Sequence, residues 1–348
     1  MTATNNTVSG TAGEALRAPA YDRVSVLVPA RLHLGFLDLN GGLGRRYGGL
    51  GLTLEGIHTR LRLEPSEDLS GRGPSSERAL DYIGRLVGAL GLSGAVKVTV
   101  DEAIPEHVGL GSGTQMALAA GTGTARLYGL DVEPRDIARL LDRGGRSGIG
   151  IGSFEGGGVL LDGGHGADNE TPPVLCRFDF PPSWRVLIIF DRRRQGKHGP
   201  EEEKAFRALP PFPAEMAAHF CRLVLMVALP ALAESDIDGF GRAVAEIQRA
   251  TGDYFAPVQG GRFASAAVAE VLSWLEGEGI RGVGQSSWGP TGFALIDGEA
   301  EADRLARAAR ARWPQADGLE FMVCRGRNRG GEIEAGAGVP AERLYQPV

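Results

Sequence analysis

The residues best suited to chemistry lie in a glycine-rich stretch, IPEHVGLGSGTQMAL, at positions 104–118, which leads directly into a helix-forming sequence. Glycine accepts positive φ angles, so backbone N–H groups can approach a ligand closely, and the first turn of a helix adds unpaired N–H donors and the positive end of the helix dipole. The stretch therefore predicts an anion cradle, for phosphate above all, formed by Gly109, Gly111, Ser112, Gly113 and Thr114. The alternative is a tight turn that packs a helix on a sheet.

A second group of polar residues follows a predicted buried strand at positions 24–28, which Pro29 is expected to close. Arg31 and His33 alternate with leucines, so at the two-residue period of a strand they share one face, and Asp38 comes soon after them. With its many glycines and charges, this segment is not expected to pack as a plain hairpin. The alternative is a hairpin with one solvated face.

Two further glycine-rich stretches, at positions 144–166 and 282–296, carry hydroxyl and cationic side chains that include Arg146, Ser147, Ser286 and Ser287. Such loops at the ends of strands suit a phosphorylated substrate, with Mg²⁺ held by a carboxylate and by the phosphates themselves. A basic loop after a predicted strand is either a solvated turn or part of a mobile lid, and contains Arg192, Arg193, Arg194, Lys197 and His198.

Other chemistries lack their sequence motifs. The six histidines show no pair at the helical spacing of a zinc site, and the chain has neither a G-x-S-x-G elbow nor a Walker A or dinucleotide-binding fingerprint. A net charge of −6 argues against a nucleic-acid surface. Three widely separated cysteines indicate a reducing cytoplasm. We expect no apolar run of the roughly 18–20 residues that span a membrane, and a disordered tail at residues 1–20.

Hydrophobic periodicity predicts the secondary structure. Besides the helix after the glycine loop and one that begins at Pro134, helices are predicted at 78–90, 215–229, 236–249, 264–276 and 300–312. Strands are predicted at 24–28, 59–63, 96–100, 159–161, 185–190 and 319–324. This irregular mixture indicates an α+β sandwich rather than a regular βαβ alternation.

Proline-containing segments at 169–173 and 181–182 mark the predicted domain boundary. They divide the chain into a domain of residues 21–180 and a domain of residues 181–348. In the second domain the predicted order of strand, helices, strand, helix and strand suits a ferredoxin-like split βαβ layer.

Three stretches resemble the three motifs of the GHMP kinase superfamily, in the same order: PARLHLGFLD at 29–38, PEHVGLGSGTQMAL at 105–118 and GQSSWGPTGFAL at 284–295. More specifically, RLHLGFLDL, GRSGIGIGSFEGGGVLLDGGHG and GQSSWGPTG are similar to the family of β-ribofuranosylaminobenzene 5′-phosphate synthases, whose members are not kinases. The resemblance runs from about residue 21 to near the end of the sequence. It implies a GHMP kinase-like fold, with an N-terminal domain like ribosomal protein S5 domain 2 and a ferredoxin-like C-terminal domain.

The resemblance also implies an activity. This family joins 5-phosphoribosyl 1-diphosphate to 4-aminobenzoate or 4-hydroxybenzoate, releases diphosphate and CO₂, and forms the C-riboside of methanopterin biosynthesis. The implied partners are these small molecules, with Mg²⁺ as cofactor and without nucleic acid or membrane. Family members commonly self-associate, which predicts a homodimer.

One position separates this chain from the related kinases. They often carry a catalytic aspartate after a Ser-Gly-Ile run, whereas Ser147, Gly148 and Ile149 are followed here by Gly150. A kinase of this kind uses an acidic residue to orient or deprotonate the acceptor hydroxyl. The missing carboxylate favours the synthase. An ATP-dependent small-molecule kinase and a non-catalytic phosphosugar-binding protein are the alternatives.

In the synthase reaction, the ring carbon that bears the carboxylate attacks the ribose as diphosphate leaves, so the protein mainly positions substrates and stabilises charge. The loop at 109–113, with Ser112 and Thr114, is predicted to bind a phosphate or the diphosphate. Arg146 and Ser147 are predicted to bind the same donor.

The other role assignments concern the acceptor and the reacting sugar. Arg31 is expected to clamp a phosphate or the benzoate carboxylate, His33 to act on the para substituent, and Asp38 to bind Mg²⁺ or stabilise the cationic sugar. The predicted walls of the acceptor site are Ser286, Ser287 and Trp288. The alternatives are an ion pair of Asp38 with Arg31 and core positions for His33 and Trp288.

Overall fold

The computed structural model describes residues 18–166, 171–196, 204, 207–314 and 318–337. The strands are β1 (Val24–Asp38), β2 (Tyr47–Ser66), β3 (Ser70–Arg72), β4 (Ala95–Glu102), β5 (Val159–Asp162), β6 (Val174–Phe178), β7 (Trp184–Asp191), β8 (Gly282–Gln285), β9 (Gly292–Asp297), β10 (Leu319–Cys324) and β11 (Glu332–Ala335). The helices are α1 (Ser76–Leu90), α2 (Ser112–Leu127), α3 (Pro134–Leu140), α4 (Ile149–Glu155), α5 (Ala214–Leu223), α6 (Leu229–Ala233), α7 (Ile237–Gln259), α8 (Ala266–Gly277) and α9 (Glu299–Arg312), with a π-helical turn at Val224–Ala228 between α5 and α6. The predicted α+β class is confirmed, whereas the predicted tail lies, up to residue 17, outside the described residues.

The first sheet is organised around the long antiparallel pair of β1 and β2. β11 flanks β1, β4 and β3 extend the sheet beyond β2, and β5 with β6 pairs against the glycine-rich end of β2. The buried faces of α1, α2 and α3 cover this sheet in one hydrophobic core. Helix α2, which follows the glycine loop, lies against β1 and β2 and is buried along most of its length.

Strand β1 continues through Pro29, which corrects the prediction that this residue closes the strand. The segment that follows does form a hairpin with β2, with register shifts between Pro29 and Arg31 and between His33 and Gly35. A bulge accommodates a residue that lacks a ladder N–H, so the proline is tolerated there. Glycine on β2 also makes room, because a Cβ at Gly51 would lie 2.2 Å from Ile149 on α4.

Helix α4 lies in the second glycine-rich stretch and was not predicted. Its sequence, IGIGSFE, has low intrinsic helix propensity because of its two glycines. Its stability comes from burial, since Ile149 and Ile151 are fully buried and Phe154 is nearly so.

The second sheet has the strand order β10-β7-β9-β8, and all neighbours are antiparallel. This order is that of a ferredoxin-like layer, as the sequence predicted. The chain passes from the first sheet to the second between Phe178 and Trp184. After β10 it returns to the first sheet, where β11 pairs with residues 24–27. That return was not predicted, and the domain limits at residues 180 and 181 stay a prediction.

Among the described residues, one helical segment, Ala214–Ala233, is long and apolar enough to cross a membrane. This corrects the expectation that no apolar run reaches that length. Phe220 and Val224 on this segment are buried in a core cluster with Phe36 and Ile247. Core helices pass the same test of length and composition, so a single such helix is weak evidence for a membrane span.

Candidate active site

The glycine loop turns onto helix α2, which begins at Ser112. Gly109 and Gly111 have φ angles of 89° and 83°, in the left-handed region that glycine occupies without steric cost. A Cβ at Gly109 would lie 2.1 Å from the carbonyl oxygen of Ser286. No described side chain caps α2, which leaves its first N–H groups, including those of the predicted residues Gly113 and Thr114, suited to an anion.

Arg31 and Ser286 hold this loop against β1. Arg31 Nη1 donates to the carbonyl oxygen of Gly109 at 2.7 Å, and Ser286 Oγ donates to the same oxygen at 2.8 Å. Ser286 Oγ also accepts the backbone N–H of His33 at 3.0 Å. Because Ser286 is fully buried and makes both bonds, its hydroxyl joins three segments of the site, which favours a positioning role over direct contact with an acceptor.

Two adjoining cavities open beside the loop. The first, of about 360 Å³, is lined by residues of the glycine loop between positions 109 and 114. The second, of about 560 Å³, extends to His33 and Ser147. Both cavities are lined by Arg31, Thr114, Arg143 and Ser287. Among the described residues, four arginines surround this space, namely Arg31, Arg78, Arg143 and Arg146, and the lining of the larger cavity includes a single carboxylate, that of Asp142. Such a lining suits a substrate with several negative charges.

Aromatic residues orient two of these arginines. Arg143 donates to the hydroxyl of Tyr82 at 2.9 Å and lies over its ring, with 5.5 Å to the ring centroid. Arg146 lies 5.7 Å from the centroid of Tyr47. The planar guanidinium stacks well on such rings, so these contacts limit the side-chain freedom that ligand binding would otherwise remove.

Ser147 is held by Asp162, a residue that the sequence analysis missed. Asp162 Oδ2 accepts the Ser147 hydroxyl at 2.7 Å and the N–H of Gly148 at 3.1 Å, and its Oδ1 accepts the N–H of Gly164 at 2.9 Å. Burial raises the pKa of the Asp162 carboxyl, and these hydrogen bonds oppose that rise. The available signal was an acidic residue that ends an apolar strand, VLLD, immediately before two glycines.

His33 lies beside the larger cavity as a buried, neutral ring. Burial lowers the pKa of His33 to about 3, and the nearby charges of Arg31 and Arg146 contribute to that lowering. Its Nε2 has no hydrogen-bond partner among the described residues. Gly49 leaves room for this atom, because a Cβ there would lie 2.9 Å from Nε2. Arg31 and His33 line the same cavity, as their predicted shared face requires.

A third cavity of about 30 Å³ adjoins the larger one, and His33, Phe36 and Ser287 line both. Trp288 forms part of its wall, is 5 % exposed, and packs on the ring of Phe255 with centroids 4.4 Å apart. Ser287 has a positive φ of 56° and contributes to all three cavities. Two of the three residues predicted to wall an acceptor therefore line cavities of the site.

Asp38 lies at the end of β1, where it closes a turn. Its Oδ1 accepts the backbone N–H groups of Asn40 at 2.7 Å and of Gly41 at 2.8 Å. It does not line either of the two arginine-rich cavities. Among the described residues, no three His, Cys, Asp or Glu side chains come together as a metal site. These residues do not fit a Mg²⁺ ion held by protein side chains alone, and the role of Asp38 stays a prediction.

The basic loop after β7 is tied down by local contacts. Arg192 pairs with Glu320, Arg193 pairs with Asp191, and Arg194 donates to the carbonyl oxygen of Ala264. These contacts favour the interpretation as a structured turn. Lys197 and His198, which were considered with it, lie outside the described residues.

Gly150, where related kinases carry a carboxylate, lies in α4 and lines the larger cavity. A Cβ at this position would be 3.0 Å from Thr114 Cγ2. The absence of a side chain therefore widens the cavity next to the glycine loop.

The two-sheet fold and the glycine loop at the start of α2 define a class of proteins. Residues 76–157 match the GHMP kinases N terminal domain, and residues 228–315 match the GHMP kinases C terminal family. The mevalonate-3-kinase of Thermoplasma acidophilum has a similar structure, with a TM-score of 0.62 and 15% identity over 91% of this chain and 100% of that one. The mevalonate diphosphate decarboxylase of Staphylococcus aureus gives a TM-score of 0.62, with 14% identity over 90% of this chain and 98% of that one. The predicted GHMP kinase fold is confirmed.

Within this class the chain is similar to a narrower group of enzymes. It is 36% identical to the β-ribofuranosylphenol 5′-phosphate synthase of Archaeoglobus fulgidus, over 88% of this chain and 98% of that protein. It is 32% identical to the enzyme of the same name from Methanothermobacter thermautotrophicus, over 87% of this chain and 96% of that protein. The chain belongs to the family of β-ribofuranosylphenol 5′-phosphate synthases, which confirms the resemblance drawn from its motifs.

Proposed function

We propose that this chain condenses 5-phosphoribosyl 1-diphosphate with 4-hydroxybenzoate or 4-aminobenzoate, with release of diphosphate and CO₂, in methanopterin biosynthesis. The observation that carries the proposal is the identity of 36% across 98% of the Archaeoglobus synthase. The arginine-rich cavities support it, because the donor brings a phosphate and a diphosphate and the acceptor brings a carboxylate.

The chemistry needs no protein nucleophile. A bond forms between C1 of the ribose and the ring carbon that bears the carboxylate, while the bond from C1 to the diphosphate breaks. The bond to the carboxylate carbon then breaks, its electron pair restores the aromatic ring, and CO₂ leaves. The sugar acquires cationic character as negative charge builds on the leaving group, so pre-oriented donors around that group lower the barrier.

The donor binds along the glycine loop in this proposal. The free N–H groups at the start of α2 hold a phosphate group. Arg143 and Arg146 neutralise further negative charge, with their guanidinium groups already stacked on tyrosine rings. Arg31 lines both large cavities, so it binds the departing diphosphate on one side and the acceptor carboxylate on the other. Any Mg²⁺ would be held mainly by the phosphates of the donor, whose charge it would help to neutralise.

His33 holds the proton of the para substituent in this proposal. Attack by the ring makes that substituent strongly acidic, and the neutral imidazole accepts its proton and returns it when the ring regains aromaticity. Burial lowers the pKa of His33 to about 3, which keeps the ring unprotonated at neutral pH but makes it a weak base. It therefore takes the proton only from a substituent that the attack has made strongly acidic. Thus the proton count is unchanged over the cycle.

The proposed enzyme is cytoplasmic and homodimeric. It uses neither nucleic acid nor a membrane as a partner. Analytical ultracentrifugation of the full chain tests the oligomer, and a mass of one chain would remove the dimer from the proposal.

The decisive test is a turnover assay with carboxyl-labelled acceptor. The protein is incubated with Mg²⁺ and either 4-hydroxybenzoate or 4-aminobenzoate, with the phosphoribosyl donor present or omitted, and a parallel arm contains ATP. Labelled CO₂ that appears only with the donor supports the synthase and identifies the acceptor. ATP consumption with some sugar or alcohol as acceptor, without CO₂ release, would instead support the kinase. Ligand binding without any turnover would support a phosphosugar-binding protein.

A further inference from the structure

We infer that the cavity of about 30 Å³ beside His33 is a specificity pocket that receives the para substituent of the aromatic acceptor, one hydroxyl or amino group, while the ring lies in the adjoining cavity of about 560 Å³. This inference rests on the proposed function and names the part of the site that selects its acceptor.

The size of the pocket decides which part of the acceptor enters. A cavity needs about 10–15 Å³ to hold one water molecule, whereas a cavity that binds benzene measures about 150 Å³. The pocket of about 30 Å³ therefore has room for a group of hydroxyl or amino size and not for a benzene ring. The two cavities share His33, Phe36 and Ser287, which therefore stand at the passage between them. A ring in the larger cavity can direct one small substituent through that passage.

The polar atoms of the pocket point to a ligand that both donates and accepts hydrogen bonds. Thr251 Oγ1, on α7, and His33 Nε2 are buried without a partner among the described residues. A buried polar group that lacks a partner destabilises the fold, so such a group in a cavity lining is a candidate for a ligand contact. A hydroxyl in the pocket can donate to Thr251 Oγ1 or accept from it, and His33 lines the same pocket.

The other amides of the pocket are already engaged. Gln248 donates to the carbonyl oxygen of Leu34 at 2.8 Å and accepts the N–H of Gln285 at 2.8 Å. Gln285 donates to the carbonyl oxygen of Ser287 at 2.9 Å and accepts the N–H of Ala264 at 2.6 Å. These bonds fix the pocket wall and leave the Thr251 hydroxyl for a ligand.

The orientation that follows agrees with the chemistry. The para position is the end of the ring farthest from the carboxylate. With the para group in the small pocket, the carboxylate-bearing carbon lies in the cavity that Arg31 and Arg146 line, where the ribose must meet it. The aromatic side chains Phe36, Phe255 and Trp288 form much of the pocket wall, and Arg262, which pairs with Asp253, also lines it.

The test compares Thr251→Val with Thr124→Val in the full-length enzyme. Valine keeps the shape of threonine and removes its hydroxyl. Thr124 is a buried threonine in α2 whose hydroxyl donates to its own helix, to the carbonyl oxygen of Ala120 at 2.7 Å. With 4-hydroxybenzoate as acceptor, Thr251→Val is expected to raise the acceptor KM roughly 3- to 10-fold, the effect of one hydrogen bond, and to leave the donor KM unchanged. Thr124→Val should change neither constant.

A second measurement tests the size of the pocket. As a competitive inhibitor, 4-methoxybenzoate should bind wild-type enzyme at least about 10-fold more weakly than 4-hydroxybenzoate binds, because its methyl group overlaps the wall. Thr251→Ala, which removes a methyl group and the hydroxyl, should narrow that difference. Equal binding of both benzoates to the wild type, or an unchanged acceptor KM in Thr251→Val, would overturn the pocket while the wild-type enzyme still turns over. Lack of any wild-type turnover would instead refute the proposed function.

Discussion

The buried imidazole of His33 couples the stability of the protein to pH. Its pKa is lowered to about 3 by burial and by Arg31 and Arg146, against 6.5 for an unperturbed histidine. The folded chain therefore binds this proton less tightly than the unfolded chain. The stability that the neutral ring contributes is fully present above pH 6.5 and is lost as the pH falls toward 3. Between about pH 7 and about pH 4.5, at 1.36 kcal/mol per unit below 6.5, the loss amounts to about 2.5 kcal/mol.

The assay is urea unfolding of the wild type and of His33→Asn at those two pH values. Any constant cost of the substitution cancels, because each protein is compared with itself. The wild type should lose about 2.5 kcal/mol more than the variant on acidification. His219→Asn, which removes a half-exposed histidine of α5, is the control for loss of a histidine as such. Equal losses in wild type and His33→Asn would refute the reasoning that this ring is held neutral by its surroundings.

Three further substitutions test the loop and the charges around it. Gly109→Ala should destabilise the fold by about 1–3 kcal/mol more than Gly260→Ala. Both glycines have a φ near 90°, but only at Gly109 would the added Cβ lie 2.1 Å from a backbone carbonyl oxygen. Equal urea midpoints for the two variants would contradict this. Arg146→Met should raise the KM for the phosphoribosyl donor roughly 10- to 100-fold, and the exposed Arg139→Met should not, as steady-state kinetics will show. Asp162→Asn replaces one accepting oxygen by an amide N–H₂ that faces a backbone N–H donor. Urea unfolding should therefore show that the folded protein has lost about 1–3 kcal/mol of stability. An unchanged stability would contradict the hydrogen-bond assignment.

The glycine loop and the shared face of Arg31 and His33 were predictable because they depend on local geometry. A helix start after glycines gives unpaired N–H groups in any fold. The two-residue period of a strand also holds across Arg31 and His33, since the two register shifts of β1 fall before the first residue and after the second. The bulges themselves leave a weak sequence signal, and the predicted strand therefore stopped too early, at Pro29.

The parts that sequence reasoning missed depend on contacts between distant segments. Thr251 carries no motif, and only the packing of α7 beside β1 brings it to the cavity that His33 lines. Asp162 reads as an ordinary strand end until the loop with Ser147 folds back onto it. Helix α4 depends on burial rather than propensity, so its glycines indicated a loop.

The return of β11 to the first sheet sets an order of events during synthesis of the chain. Residues 24–27 leave the ribosome early, yet their partner residues 332–335 are translated about three hundred positions later. Until then this edge of β1 presents unpaired backbone groups, which are a template for pairing with other chains. Arg327, 4 % exposed and paired with both Glu55 and Glu332, fastens the returning segment once it arrives. Nascent chains that stall before residue 332 should consequently depend on chaperones more than the finished protein does.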